Sequence, residues 1–197
     1  MNFNLANTIA HKYHRLLGNH CNKIYIAGSL RRLKTDVKDI EIVCLPRTET
    51  LDAVDLFGTG KQIEHVIDAF ADCANNLGKV IKGQPSGKYM QILLPEGINL
   101  DLFIPSAADF YRQLAIRTGP AEYSYATLAI GWRKLGWCGT QNHGLRKMTD
   151  CQAQVQCSGK TIWHCTNTNG ELPPVWQSEH EFFDWINVPW QEPQHRM

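Results

Sequence analysis

Residues 39–45, DIEIVCL, alternate acidic and apolar positions and then run wholly apolar up to Pro46. That pattern describes a central strand with one exposed end, and the rest of the fold has to be arranged around it. Asp39 and Glu41 lie two apart, so on a strand their side chains leave the same face about 6.5–7 Å from each other. Two carboxylates on one face of a strand entering a core are unfavourable unless solvated or neutralised by cations. A third acid, Asp101, interrupts another apolar run, INLDLFI at 98–104. Three carboxylates converging from adjacent strands would repel one another, and a divalent cation that takes hard oxygen ligands, such as magnesium, relieves the repulsion. Taken singly, each acid also fits a solvent-facing position on a strand.

The remaining periodicities predict an α+β chain with a mixed or antiparallel sheet. Leu5, Ile9, Tyr13, Leu16 and Leu17 have near-helical spacing over 4–19. KIYIA at 23–27 is a short strand. Residues 60–78 place Ile63, Val66, Ile67, Phe70 and Cys73 on one helical stripe, with Gly78 as the stop. KVIK and KYMQILL are strands separated by the turn residues of GQPSG. Helices are expected over about 107–116 and 120–135, with Pro120 suited to a first helical turn. Beyond Trp137 the texture changes to short hairpins among Gly, Asn and Ser turns. Ser178, with Glu181 three residues on, then opens a last helix with a capping-box pattern.

Composition sets outer limits. Hydrophobic content of 43% and charged content of 20% describe an ordinary folded chain, and a net charge of +1 argues against coating nucleic acid by bulk electrostatics. No apolar run is long enough to span a membrane and no stretch reads as a secretory leader, so a cytoplasmic location is expected. Seven cysteines fit free thiols in a reducing compartment. The spacing of Cys151, Cys157 and Cys165 does not match a common zinc knuckle or ribbon.

Gly28-Ser29 directly follows the strand KIYIA, and Arg31 and Arg32 come next. Glycine admits close backbone approach, serine can donate and arginine can bind phosphate bidentately. The order apolar residue, Gly28-Ser29, nine residues, then Asp39-Ile40-Glu41-Ile42 resembles the signature of the polymerase β-type nucleotidyltransferase superfamily. The finer text resembles the family X DNA polymerases: GSLRR by its spacing to Asp39, and GQPSGKYMQILL and INLDLFIP as the next palm strands with a third carboxylate. LAIRTGPAEYS is similar to the segment under the incoming nucleotide, and SEHEFFDWINVPWQEPQHR to the C-terminal helix and ending of the thumb. These matches are collinear over 24–196.

The resemblance implies a nucleotidyltransferase palm with an N-terminal helix over 1–104, then a helical connection and a small α+β thumb over 105–197. It implies two magnesium ions, with manganese as a substitute, on Asp39, Glu41 and Asp101 as catalytic residues. Gly28, Ser29 and Arg32 would hold the triphosphate of a nucleoside triphosphate, Thr118 and Gly119 would lie beneath its sugar, and Ser124 would stand at the minor-groove position. Arg112, Arg117, Arg133, Lys134, Arg146 and Lys147 are the candidates for DNA backbone contact, their alternative being solvated helix faces. The implied activity is template-dependent filling of short gaps in gapped or primed duplex DNA during repair, by a monomer. The alternatives are a nucleotidyltransferase acting on a small molecule or RNA end, and a non-catalytic nucleic-acid binder. The chain departs from the family pattern at Glu41, where aspartate is usual, and at Ile116-Arg117, which replace an aromatic pair. Pro120 and Ser124 also depart, standing where serine and asparagine are expected.

Overall fold

The computed structural model describes residues 1–54, 60–157, 159 and 161–197. The chain forms two compact units, Met1–Thr118 and Gly119–Met197. The helix Phe110–Thr118, expected with the second unit, therefore belongs to the first. Among the described residues no helix is long and apolar enough to cross a membrane.

The first unit is built on a five-stranded sheet: β1 (Cys21–Ile26), β2 (Asp39–Pro46), β7 (Asn99–Phe103), β6 (Tyr89–Leu93) and β5 (Lys79–Gly83), side by side in that order. Only β2 and β7 pair in parallel; the other neighbours are antiparallel, so the sheet is mixed as expected. Strand alternation divides its residues cleanly. Ile40, Ile42 and Cys44 of β2, Leu100 and Leu102 of β7, and Met90 and Ile92 of β6 enter the main core. That core also contains residues of α1 (Phe3–Gly18) and α3 (Asp68–Asn75). Each such side chain contributes about 1.5–3 kcal/mol by leaving water. On the opposite face Val43 and Phe103 join Ala27 in a smaller cluster with Phe110 and Leu114 of α4 (Phe110–Thr118).

α1 begins where the Asn2 side chain accepts the Leu5 N–H at 3.0 Å, an N-cap. Its buried stripe is Ala6, Ile9, Ala10, Tyr13 and Leu17. Leu5 and Leu16, expected on that stripe, are 51% and 43% exposed. Ala6 and Ala10 take the inward positions, and their small side chains let the helix lie close to its partners.

The predicted helix over 60–78 is a strand followed by a helix. β3 (Thr48–Val54) and β4 (Gly60–Val66) form their own two-stranded antiparallel sheet, Thr48 opposite Val66, and α3 starts at Asp68. The i, i+3, i+4 spacing of Ile63, Val66 and Ile67 mimics a helix, but β-branched residues also favour extended backbone when a partner strand is present. Pairing with 48–54 supplied that partner.

In the second unit, α5 (Ala121–Tyr123) continues through a π-helical stretch, Ser124–Ala129, into α6 (Ile130–Lys134). A four-stranded sheet follows in the order β10 (Cys151–Val155), β11 (Thr161–Cys165), β8 (Trp137–Thr140), β9 (Gly144–Lys147). The last helix, α7 (Glu179–Trp185), is capped as expected: the Ser178 hydroxyl accepts the Glu181 N–H at 3.1 Å. The Glu181 carboxylate reaches back to the Gln177 N–H at 2.6 Å. Trp137, Trp176, Phe182 and Trp185 pack edge-on or tilted, with ring centroids 5.0 to 6.5 Å apart for the pairs in contact.

Arg196 closes this unit from within. It is fully buried, donates to Glu179 at 2.8 Å and to the Gln191 carbonyl at 2.9 Å, and lies over the Phe183 ring. Removing one partner of a buried ion pair leaves an uncompensated charge. Glu179→Ala is therefore expected to lower the stability of the second unit by about 3–5 kcal/mol. Glu179→Ala/Arg196→Met should recover part of that loss, read by urea denaturation as a double-mutant cycle.

Candidate functional site

The three acids come together on one face of the first unit's sheet. Glu41 and Asp101 are register partners across the parallel β2–β7 ladder, and Asp39 pairs with Asn99 two residues earlier. They share the face opposite Ile40, Ile42, Leu100 and Leu102, as the alternation predicts. Asp101 is held from its other side. Tyr89 Oη and Gln91 Nε2 of β6 both donate to Asp101 Oδ1 at 2.9 Å. Sequence reasoning missed these two, although Tyr89 and Gln91 alternate with buried Met90 and Ile92 and were legible as one polar face.

Glycine and serine reach the acids through β1. The Ala27 N–H donates to the Glu41 carbonyl at 2.8 Å, so the chain leaving β1 passes directly beside Glu41. Gly28 has φ +61°, and a Cβ there would stand 1.9 Å from Glu41 Oε2; no other residue fits this close approach without moving the carboxylate. Gly28 opens the short helix α2 (Gly28–Arg31). Just past its C-cap, Arg32, Leu33 has a φ of 57°, unusual for a branched residue, and the Lys34 N–H donates to the Ser29 carbonyl at 3.0 Å.

α2 is tied to the end of α4. Arg31 Nη1 donates to Thr118 Oγ1 at 2.6 Å, and Arg32 Nη1 donates to the Thr118 carbonyl. Thr118 is buried and returns its own hydroxyl to the Leu114 carbonyl. Ser29 Oγ and Arg32 Nε are buried without a protein partner. Both border a cleft of about 390 Å³ that is also lined by Lys34, Lys38, Asp39 and Glu41. Thr35 and Asp36 complete the lining, so three basic and three acidic side chains border the cleft. The run LKTDVK at 33–38 was the available signal for Lys34, Asp36 and Lys38 at the cleft.

Arg117 belongs to this site. Its guanidinium lies 3.9 Å above the Phe103 ring, its Nε is buried without a partner, and its charge acts on Glu41 and Asp101. This expected DNA contact is therefore placed beside the carboxylates. Arg112 is buried and forms a bidentate bond to Asp109 at 2.6 and 2.7 Å.

The other expected site residues lie in the second unit. Gly119 and Ser124 flank α5, and a Cβ on Gly119 would meet Tyr123 Cδ1 at 2.7 Å. Arg133 lies 5.4 Å from the Tyr125 ring, and Lys134 is exposed. Lys147 stands 4.4 Å over Trp137 and 3.6 Å from Glu171. Arg146 is buried and donates to the carbonyls of His143 and Thr168, so its guanidinium organises loops instead of facing solvent.

Burial and the neighbouring Asp39 raise the Glu41 carboxyl to about 7, with Arg117 opposing. Burial and Asp101 likewise raise Asp39. The Tyr89 phenol is pushed up to about 12 by burial and by its bond to Asp101, which keeps it a donor. Among the described residues no three His, Cys, Asp or Glu side chains are gathered tightly enough to enclose a metal ion. In donor chemistry the acids nonetheless suit a hard divalent cation: three carboxylates share one face, and burial with the neighbouring acids holds Glu41 toward its protonated form. No protein-family model matches this chain, and no curated protein matches it.

In chelator-containing buffer Glu41 has a folded-state value above the usual 4.5, so the folded protein binds the proton more tightly than the unfolded one. Stability is then expected to fall as pH rises from about 4.5 to about 7 and to level off above, by on the order of 3 kcal/mol. Glu41→Gln should flatten this dependence in urea titrations between pH 4 and 8. Gly28→Ala, measured the same way, should be less stable than the parent at every pH, by about 1–2 kcal/mol for the left-handed backbone alone.

Proposed function

We propose that this chain is a nucleotidyltransferase of the polymerase β type, similar to family X, that adds nucleotides to a DNA 3′-hydroxyl in short gaps. The observation that carries the reading is the in-register meeting of Glu41 and Asp101, with Asp39 on the same face, beside a cleft that Ser29 and Arg32 also line. In this reading Asp39, Glu41 and Asp101 would hold two magnesium ions, whose chemistry would be Lewis acidity toward a phosphoryl group.

The chain's own groups would do the remaining work. Ser29 Oγ and Arg32 Nε, buried without a protein partner at the cleft, would donate to the β- and γ-phosphates. Arg31 and Arg32 fix the position of Thr118, which would set the floor beneath the sugar. Tyr89 and Gln91 keep Asp101 oriented through one oxygen, leaving the other free to ligate or to take the proton of the attacking hydroxyl. Arg133, Lys134 and Lys147 would supply cations for phosphate contact, and so few contacts imply weak DNA binding with a shallow dependence on salt.

Primer extension on gapped, nicked and tailed duplexes with magnesium tests the reading. Wild-type protein should extend the primer. Asp101→Asn should lose on the order of 10³-fold in rate, as expected for several kcal/mol of charge stabilisation, while its thermal midpoint stays near that of the parent. Absence of incorporation on every DNA structure overturns the polymerase reading. Consumption of a nucleoside triphosphate without a DNA primer would instead favour transfer to a small molecule or RNA end.

A further inference from the structure

Three of the free cysteines meet in the second unit, outside the carboxylate site of the first. Cys151 opens β10 and Cys165 closes β11, and the two are direct register partners. The Thr166 N–H donates to the Asp150 carbonyl at 2.9 Å, one step along the same ladder. Ladder bonds alternate, so the Cys151–Cys165 pair falls between them, in the class of pair whose side chains approach most closely. Cα atoms in such a pair are about 4.5 Å apart, within the roughly 4.4–6.8 Å that a disulfide spans.

Cys138 on β8 is the third member. Its buried thiol hydrogen-bonds to Cys151, and Cys151 interacts in turn with Cys165. Burial pushes the Cys151 thiol up and outweighs the bond from Cys138, which favours its thiolate. Cys151 and Cys165 are both partly exposed, whereas Cys138 is not. The register pairing brings two thiols together, which makes thiol–disulfide exchange available to the cluster.

We propose that Cys151 and Cys165 are a reversible dithiol–disulfide pair, oxidised by low-molecular-weight disulfides. The thiolate of Cys165 attacks one sulfur of the small disulfide, forming a mixed disulfide and releasing one small thiolate. The Cys151 thiolate then attacks the Cys165 sulfur and displaces the second. Two protein thiols are oxidised to one disulfide, one small disulfide is reduced to two thiols, and the two protons leave with those thiols. The bond clamps the open end of the β10–β11 hairpin, and an excess of small thiol reverses it.

The test uses the full chain carrying Cys157→Ser, which removes the exposed thiol between the two strands. The protein is incubated with glutathione disulfide, alkylated, and analysed by thiol titration in denaturant and peptide mass spectrometry. The expected result is the loss of two thiols per chain and of two hydrogens in mass, with one linked pair, Cys151 to Cys165. No glutathione should be retained, and dithiothreitol should restore the starting state. Cys165→Ser should abolish the link while leaving the far-ultraviolet circular dichroism unchanged. Glutathione retained on Cys151 or Cys165, a link through Cys138, or no thiol loss would each overturn the proposal. So would stoichiometric zinc binding that protects the three thiols.

Discussion

The pairing of β2 with β7, Glu41 opposite Asp101, is the constraint around which the first unit is arranged. It places like charges on adjacent strands of a sheet whose other face is a sealed hydrocarbon core. Neither carboxylate can turn away, because the same alternation that exposes them buries Ile40, Ile42, Leu100 and Leu102. A register slip of one residue would put the acids in that core. The surroundings respond with positive charge and donors: Arg117 stacked on Phe103, Arg32 at the cleft, and Tyr89 and Gln91 on Asp101. The requirement for glycine at position 28 follows from the same crowding, since Glu41 occupies the space any side chain there would need.

Much of this was readable from residue order alone, because an acid alternating with apolar residues at period two fits a strand with one polar face and little else. The acids, the Gly-Ser turn, the mixed sheet and the Ser178 cap all follow from local chemistry that tertiary contacts did not override. The β3–β4 hairpin was not legible, since Ile63, Val66 and Ile67 satisfy helical and extended periodicities equally and only the partner strand decides. Nor was the role of Arg117, which sequence treats as one more cation on a helix. Its stacking on Phe103 depends on α4 packing over the small apolar cluster on the acid-bearing face. Arg112 and Arg146 illustrate the same limit: a basic residue in sequence does not reveal whether its charge faces water, a carboxylate or a backbone carbonyl.

The second unit is stabilised differently. Its interior is rich in tryptophan and phenylalanine, and the last residues of the chain return to it through Arg196. Large rings fill the volume of a small domain efficiently, and the buried guanidinium satisfies Glu179 while its flat faces pack against Phe183 and Trp190. The unit therefore depends on its C-terminal residues for cohesion, and its pair of short hairpins presents thiols at the seam between strands.

Chain order has a consequence for how the carboxylate face is assembled. β2 emerges early in synthesis with Asp39 and Glu41, yet its parallel neighbour lies beyond the hairpin, α3, β5 and β6. A nascent chain that ends before Asn99 carries two of the acids on a strand with one flank unpaired. The third acid arrives only when β7 inserts between β2 and β6. The three carboxylates therefore meet only once β7 is in place, and a chain truncated before Asn99 cannot present the complete acidic face.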